Sequence, residues 1–234
     1  MNILAVGAHP DDIEILCAGT LAKYAKDGHK IFMAHLCHGD LGGKGISRKE
    51  LLMTRKKEAI EAGKVIGAKV FSGIASDLDL YTDRTARKKA VEIIRQAEPD
   101  LIITHAPNDY MPDHRATSRL IFEASFTATL PNYKTRTKAH EPIIPIYYMD
   151  NAAGIKFDPT LYVDITKTID IKKKMLLCHK SQHKWLKGHH NSGAVELIDT
   201  LAKFRGLQCG AAYAEAFRIL DVWGRNRPGK LTGN

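Results

Sequence analysis

The chain predicts an α/β fold, a mostly parallel sheet with helices on both faces. Short β-branched or apolar runs alternate with longer amphipathic patterns, the rhythm of βαβ units. Within the fourth run, Leu101-Ile102-Ile103 is wholly apolar, as suits a buried central strand. The first and fourth runs each lead into a turn rich in His and Asp, at the strand ends where open α/β sheets bind ligands. At 234 residues the chain is long enough for folding to bury roughly 70–75% of the surface an unfolded chain exposes. No linker, repeat or low-complexity tract divides it, so one domain over 1–234 is expected.

Strands are predicted at 2–8, 30–36, 69–72, 100–105 and 144–149. Between the first two, Ala18, Leu21, Ala22 and Ala25 recur at helical spacing and Gly28 offers a left-handed C-terminus, giving a helix over about 14–26. Ser47 and Glu50 form a capping box for a second helix that runs toward Gly67. Asp83 caps a third, carrying Ala86, Ala90, Ile94 and Ala97, which Pro99 ends. A fourth carries Leu120, Ile121 and Ala124 behind Asp113 as cap. The polar stretch 129–142 reads as a mobile loop or lid. Residues 155–164 suggest a hairpin, 167–181 and 193–205 helices, and 213–220 a late strand.

Composition excludes several classes. An apolar fraction of 44% with 26% charged residues is that of an ordinary globular protein, and no segment has the length of a membrane span. No basic region, apolar stretch or cleavage site marks a secretory signal, so a cytoplasmic location is expected. The four cysteines, Cys17, Cys37, Cys178 and Cys209, form no Cys-x-x-Cys pair and are expected as buried small apolar residues. The net charge of +9 permits polyanion binding. Its triplets Arg55-Lys56-Lys57, Arg87-Lys88-Lys89 and Lys172-Lys173-Lys174 all fall in helical patterns, where they read as solvated faces, and no interleaved aromatics indicate a nucleic-acid surface.

The chemistry concentrates in two clusters. His9-Pro10-Asp11-Asp12 follows the first strand, and His105-Ala106-Pro107-Asn108-Asp109-Tyr110-Met111-Pro112-Asp113-His114 follows the fourth. If those strands are parallel neighbours, His9, Asp12 and His114 converge as two imidazoles and a carboxylate, leaving a coordination position for water as catalytic zinc sites do. Such a metal lowers the pKa of its water toward roughly 7, and Asp11 is placed to take the proton, which points to amide hydrolysis. Asp113 either orients an imidazole or caps its helix. Zinc is the first expectation, although iron, cobalt or nickel also suits two histidines and a carboxylate.

Together the clusters resemble the LmbE-like or PIG-L family of metal-dependent N-deacetylases, recognised by a His-Pro-Asp-Asp turn after strand one and a Pro-Asp-His element after a later strand. Arg55 with Glu58, Asn108-Asp109, His179-Lys180-Ser181-Gln182 and Glu215-Ala216-Phe217-Arg218 also match family positions. The resemblance implies a Rossmann-like fold, commonly homo-oligomeric, that removes acetyl from N-acetylated sugars, often N-acetylglucosamine conjugates. It implies metal ligation by His9, Asp12 and His114, a general base at Asp11, and substrate contacts from Arg55 and Asp109. One departure matters. Many members carry a histidine where this chain has Met111, and that histidine helps to stabilise the tetrahedral intermediate or to protonate the leaving amine. A thioether does neither, so Tyr110 is the candidate oxyanion donor.

Three weaker signals remain. His179 and His183 share the four-residue spacing of zinc ligands but have no Glu after the first. Gly42-Gly43-Lys44-Gly45 does not match a phosphate-binding loop, because Gly45 stands where Ser or Thr is required. Asp77, Asp79 and Tyr81 suit sugar contacts or plain loop solvation. The leading expectation is a deacetylase of N-acetylated sugars. The alternatives are a carbohydrate- or metal-binding protein on the same scaffold, or a hydrolase of another amide or ester.

Overall fold

A computed structural model of the protein describes residues 1–187 and 193–225. Seven strands form one sheet: β1 (Asn2–Gly7), β2 (Lys30–His35), β3 (Lys69–Phe71), β4 (Leu101–His105), β5 (Ile146–Met149), β6 (Leu161–Asp164) and β7 (Ala214–Ile219). Their order is β3-β2-β1-β4-β5-β7-β6. The first five run parallel, and β7 lies antiparallel to both β5 and β6. β1 and β4 are direct parallel neighbours, with Ile3 opposite Leu101 and Val6 opposite Thr104. The connections diverge on either side of β1, so its C-terminal end is the switch point of the sheet.

Alternation along β1 sorts the core into two layers. Leu4 and Val6 face the cluster built with α4 (Arg84–Ala97) and α5 (Pro112–Thr127). Ile3 and Ala5 face the other, built with α1 (Asp12–Leu16), α2 (Ala18–Lys26) and α6 (Ile169–Leu176). The remaining helices are α3 (Arg48–Lys64), α7 (Lys180–Lys187) and α8 (Ala194–Cys209). No helix among the described residues is long and apolar enough to cross a membrane.

Several local expectations hold. Ser47 and Glu50 form the capping box of α3, and the Asp83 carboxylate accepts the Ala86 amide at 2.7 Å. Others need correction. The helix expected over 14–26 breaks at Cys17, because the Gly19 and Thr20 amides donate to the Glu215 carboxylate at 2.9 and 2.7 Å, and this acceptor starts a new helix. Met111, not Asp113, occupies the N-cap of α5, with Pro112 as the first helical residue. No hairpin forms over 155–164, since β6 pairs with β7. The stretch 129–142 is irregular but fastened rather than poised as a lid. Buried Arg95 on α4 donates to the carbonyls of Ala128, Leu130, Tyr133 and Thr137. Cys209 is exposed, because it ends the outer face of α8.

The basic triplets divide by helical phase. Lys56, Lys57, Lys88 and Lys89 are exposed, but Arg55 and Lys172 are each only 2% exposed. Three consecutive helical residues span most of a turn, so one of them faces inward. Lys172 is tolerated there because its ammonium pairs with Glu215 and also donates to the Ile15 carbonyl at 2.7 Å. Replacing Glu215 with Ala would strand that charge and two helix amides together. The expected loss is about 3–5 kcal/mol of stability, read as a lower midpoint in urea denaturation.

Candidate active site

Both clusters emerge at the C-terminal edge of adjacent strands, where the chain must turn sharply into a helix. Asp11 takes φ 119° at the head of α1 without a side-chain capping bond, a backbone conformation that non-glycine residues rarely hold. The turn is secured by the Asp12 carboxylate, which accepts the His9 amide at 2.6 Å.

His9, Asp12 and His114 come together with one ligand atom each within 4.8 Å of the others. Each imidazole is held from behind by a carboxylate of the second cluster. His9 Nε2 lies 3.0 Å from Asp113 Oδ2, which leaves Nδ1 toward Asp12 at 3.6 Å. His114 Nδ1 lies 3.0 Å from Asp109 Oδ1, which leaves Nε2 facing Asp12 Oδ1 at 3.3 Å. Such backing fixes ring orientation and tautomer in metal centres. Asp113 thus orients the imidazole of the other cluster, not its chain neighbour. Asp109, expected against substrate, is buried beneath His114 and does not line the cavity.

The donor set fits a divalent metal. Both ring nitrogens of His114 are buried without a well-aligned hydrogen bond, and a bound cation would satisfy Nε2, the one that faces Asp12. Burial opposes protonation of the imidazoles, yet the carboxylates outweigh it: contacts with Asp113 and Asp12 raise His9 to about 11, and Asp12 and Asp109 raise His114 to about 9. Burial likewise pushes Asp12 up, but His114 and His105 overcome it and hold this carboxyl well below the usual range. The pocket therefore attracts positive charge, and a divalent cation would displace the imidazole protons. Two histidines and one carboxylate match catalytic zinc chemistry and leave open positions.

Asp11 stands beside the cluster and lines the same cavity. Burial and the neighbouring charge of Asp12 raise its carboxyl to about 7. Arg55 enters from α3, where its guanidinium donates to the Gly42 carbonyl at 2.6 Å and its Nε is buried without a partner. Gly39 is required opposite it: with φ at +72°, a Cβ there would meet Arg55 Cδ at 2.6 Å. Asp77 lines the cavity while its carboxylate accepts the amides of Gly39 and Leu41 at 2.7 and 3.1 Å, which positions the loop that carries Gly42. Tyr110 also lines the cavity, 65% exposed, with its ring edge-on to His114 at 6.0 Å between centroids.

The sequence gives some residues of the site no role: His105 stands out only as part of the second cluster, and Glu14 not at all. His105 stacks on His114 at 3.8 Å, accepts the Ala8 amide at 3.0 Å, and is pushed down to about 4 by burial and by His114. Glu14 is fully buried in α1, 3.1 Å from His179 Nε2 and 3.7 Å from His35 Nε2. Burial disfavours its charge, but His179 outweighs this and holds it below the carboxylate range. His179 is thus committed to Glu14, and among the described residues no metal-ligand cluster includes it or His183. Arg55 did leave a trace, since it falls four residues after Leu51 and four before Ala59 on the buried stripe of α3.

The Asp109 contact gives a direct test of the backing carboxylates. Asp109→Ala would leave His114 free to turn, and metal affinity is expected to fall about 10- to 100-fold, measured by competition with a chromophoric chelator. Unchanged affinity would show that His114 is held by other contacts.

The chain is similar to several known proteins in sequence and fold. The diacetylchitobiose deacetylase of Thermococcus kodakarensis is 27% identical over 231 residues, covering 94% of this chain and 83% of that protein. The 4-oxalmesaconate hydratase of Pseudomonas putida is 25% identical over 194 residues, covering 79% and 75%. Among solved structures, N,N'-diacetylchitobiose deacetylase from Pyrococcus horikoshii, complexed with its inhibitor MPG, superposes with a TM-score of 0.80 at 27% identity over 93% of this chain and 83% of that one. The profile described as PIG-L, GlcNAc-PI de-N-acetylase, matches residues 4–125, a span that contains both His/Asp clusters and Arg55. More than half the chain is covered by that match, and the chain belongs to the PIG-L family.

Proposed function

We propose that the protein is a zinc-type, metal-dependent hydrolase that removes the acetyl group from an N-acetylated amino sugar or its conjugate. The observation that carries this reading is the pair of carboxylate-backed imidazoles facing Asp12, with Asp11 beside them in one cavity. His9, Asp12 and His114 would hold the ion. When bound, it supplies Lewis acidity, polarising the acetamide carbonyl and acidifying a water molecule.

The remaining work falls to this chain's side chains. Asp11 takes a proton from the attacking water. Burial and Asp12 place its carboxyl near neutrality, where it serves either as acid or as base. With Met111 in place of the family histidine, Asp11 is also the group placed to return that proton to the departing amine. Tyr110 offers its phenol to the developing oxyanion. Arg55, the one cationic side chain among the described lining residues apart from the two ligand histidines, orients the sugar through hydroxyl or carbonyl groups.

A second reading is favoured by the hydratase among the relatives: addition of water to an unsaturated polycarboxylate. The lining charge argues against it. Asp11, Asp12 and Asp77 face a single arginine, which makes a poor receptor for several carboxylates. The test is metal analysis of the purified protein together with acetate release from a panel of N-acetylated sugars, run beside hydration of 4-oxalmesaconate. Acetate release that follows metal content supports deacetylation. Hydration without acetate release would replace it.

A further inference from the structure

The cavity is larger than its reacting centre. Its volume is about 570 Å³, within the range of about 300–1,000 Å³ that takes a drug-sized ligand and more than one sugar ring with its acetamide fills. Its lining is of two kinds. The polar part is the metal-ready cluster with Asp11, Arg55, Asp77, Tyr110 and Gln182, whose buried Oε1 has no partner. The apolar part is a wall of Ile15, Leu16, Ala152, Ala153, Ala194 and Leu197, none of which has a polar side-chain atom. Met111 also lines the cavity.

This wall is built, not incidental. Ile15 and Leu16 come from α1, the helix that begins with Asp12, so they are placed by the same turn as the metal-ready cluster. Ala194 packs with Leu176 and Ile198, and Ile15 rests against that group. The backbone that carries Ala152 and Ala153 is occupied elsewhere. Asn151 Oδ1 accepts the amides of Ala153 and Ile155 at 3.3 and 3.1 Å, and Asn151 Nδ2 donates to the Ile155 carbonyl at 2.7 Å. Arg205, ion-paired with Asp150 at 2.6 Å, donates to the Gly154 carbonyl. These bonds hold the loop that brings Ala152 and Ala153 to the cavity.

We propose that this wall is an aglycone subsite, and that the substrate is an N-acetylated amino sugar carrying an aryl or alkyl group rather than a second sugar. The inference rests on the deacetylase reading. Gln182 can accept from one hydroxyl of a second sugar, but the other hydroxyls would lose water against six side chains that offer no hydrogen bond, a cost that a single acceptor does not recover. An aryl or alkyl group loses nothing there and gains by burial.

The experiment compares kcat/KM for acetate release from phenyl, hexyl and methyl N-acetyl-β-glucosaminides and from N,N'-diacetylchitobiose, with metal-loaded protein. The phenyl and hexyl glycosides should exceed the methyl glycoside by roughly 10- to 100-fold, and diacetylchitobiose should not exceed it. In Leu197→Asn and Ala153→Asp, each checked for folding by circular dichroism, the phenyl-to-methyl ratio should drop toward one. A wild-type ratio near one, or a ratio that neither variant moves, overturns the subsite. If no glycoside releases acetate, the deacetylase reading falls instead. Calorimetry with hexyl and methyl β-glucosides then decides the subsite separately: tighter hexyl binding that Leu197→Asn abolishes supports it, and equal affinities overturn it.

Discussion

Asp11→Asn is expected to leave the metal in place and to lower acetate release by about 10²- to 10⁴-fold, the usual contribution of a positioned general base. The substitution keeps the shape of the side chain, so it opens no cavity beside the cluster. It also leaves His9, Asp12 and His114 untouched, together with Asp113 and Asp109 behind them. What it removes is a carboxyl raised to about 7 by burial and by Asp12, held in the cavity by a backbone at φ 119°. An amide neither takes nor returns a proton at neutral pH. Since Met111 supplies no second acid, both transfers would suffer together, which favours the upper part of the range. Metal content by mass spectrometry and initial rates on one preparation check both halves. Undiminished turnover removes Asp11 from the mechanism, and loss of metal would place it among the ligands.

The second large effect is expected for His114→Ala, which should abolish stoichiometric metal and, with it, activity. Three protein ligands leave little redundancy, and deletion of one removes both its bond and the geometry of the others. The damage extends beyond the missing nitrogen. Asp109 would lose its 3.0 Å partner while still buried, and Asp12 would lose the neighbouring cation that contributes most to its lowered carboxyl. Equilibrium dialysis against zinc measures the outcome. A variant that still holds one equivalent would show that the metal centre is not built from His9, Asp12 and His114.

Much of this was legible along the chain because it depends on local spacing. The alternation of strand and helix patterns, the Ser47/Glu50 capping box and the Asp83 cap are contacts within a few residues, so their sequence signals are also their physical causes. The two His/Asp clusters were visible for a related reason: each follows a strand, and strands of a parallel sheet end on one edge. Sequence left open what long-range contacts decide. Asp113 pairs with His9 rather than with His114 beside it, and His114 is backed by Asp109. Along the chain Glu14 is simply another residue of a short helix, because its partners His35 and His179 come from distant elements. Lys172 reads as part of a solvated triplet until β7 brings Glu215 against it.

The sequence by itself determined the sheet, the edge on which the site lies and the residue types able to hold a metal, since strand periodicity and strand-end turns are local properties of the backbone. Tertiary structure alone decided which carboxylate backs which imidazole, which basic residues are buried and what lines the cavity away from the metal-ready cluster. Those outcomes depend on which elements pack together. α1, α8 and the loop after β5 converge only when the sheet is complete, and their meeting makes the apolar wall.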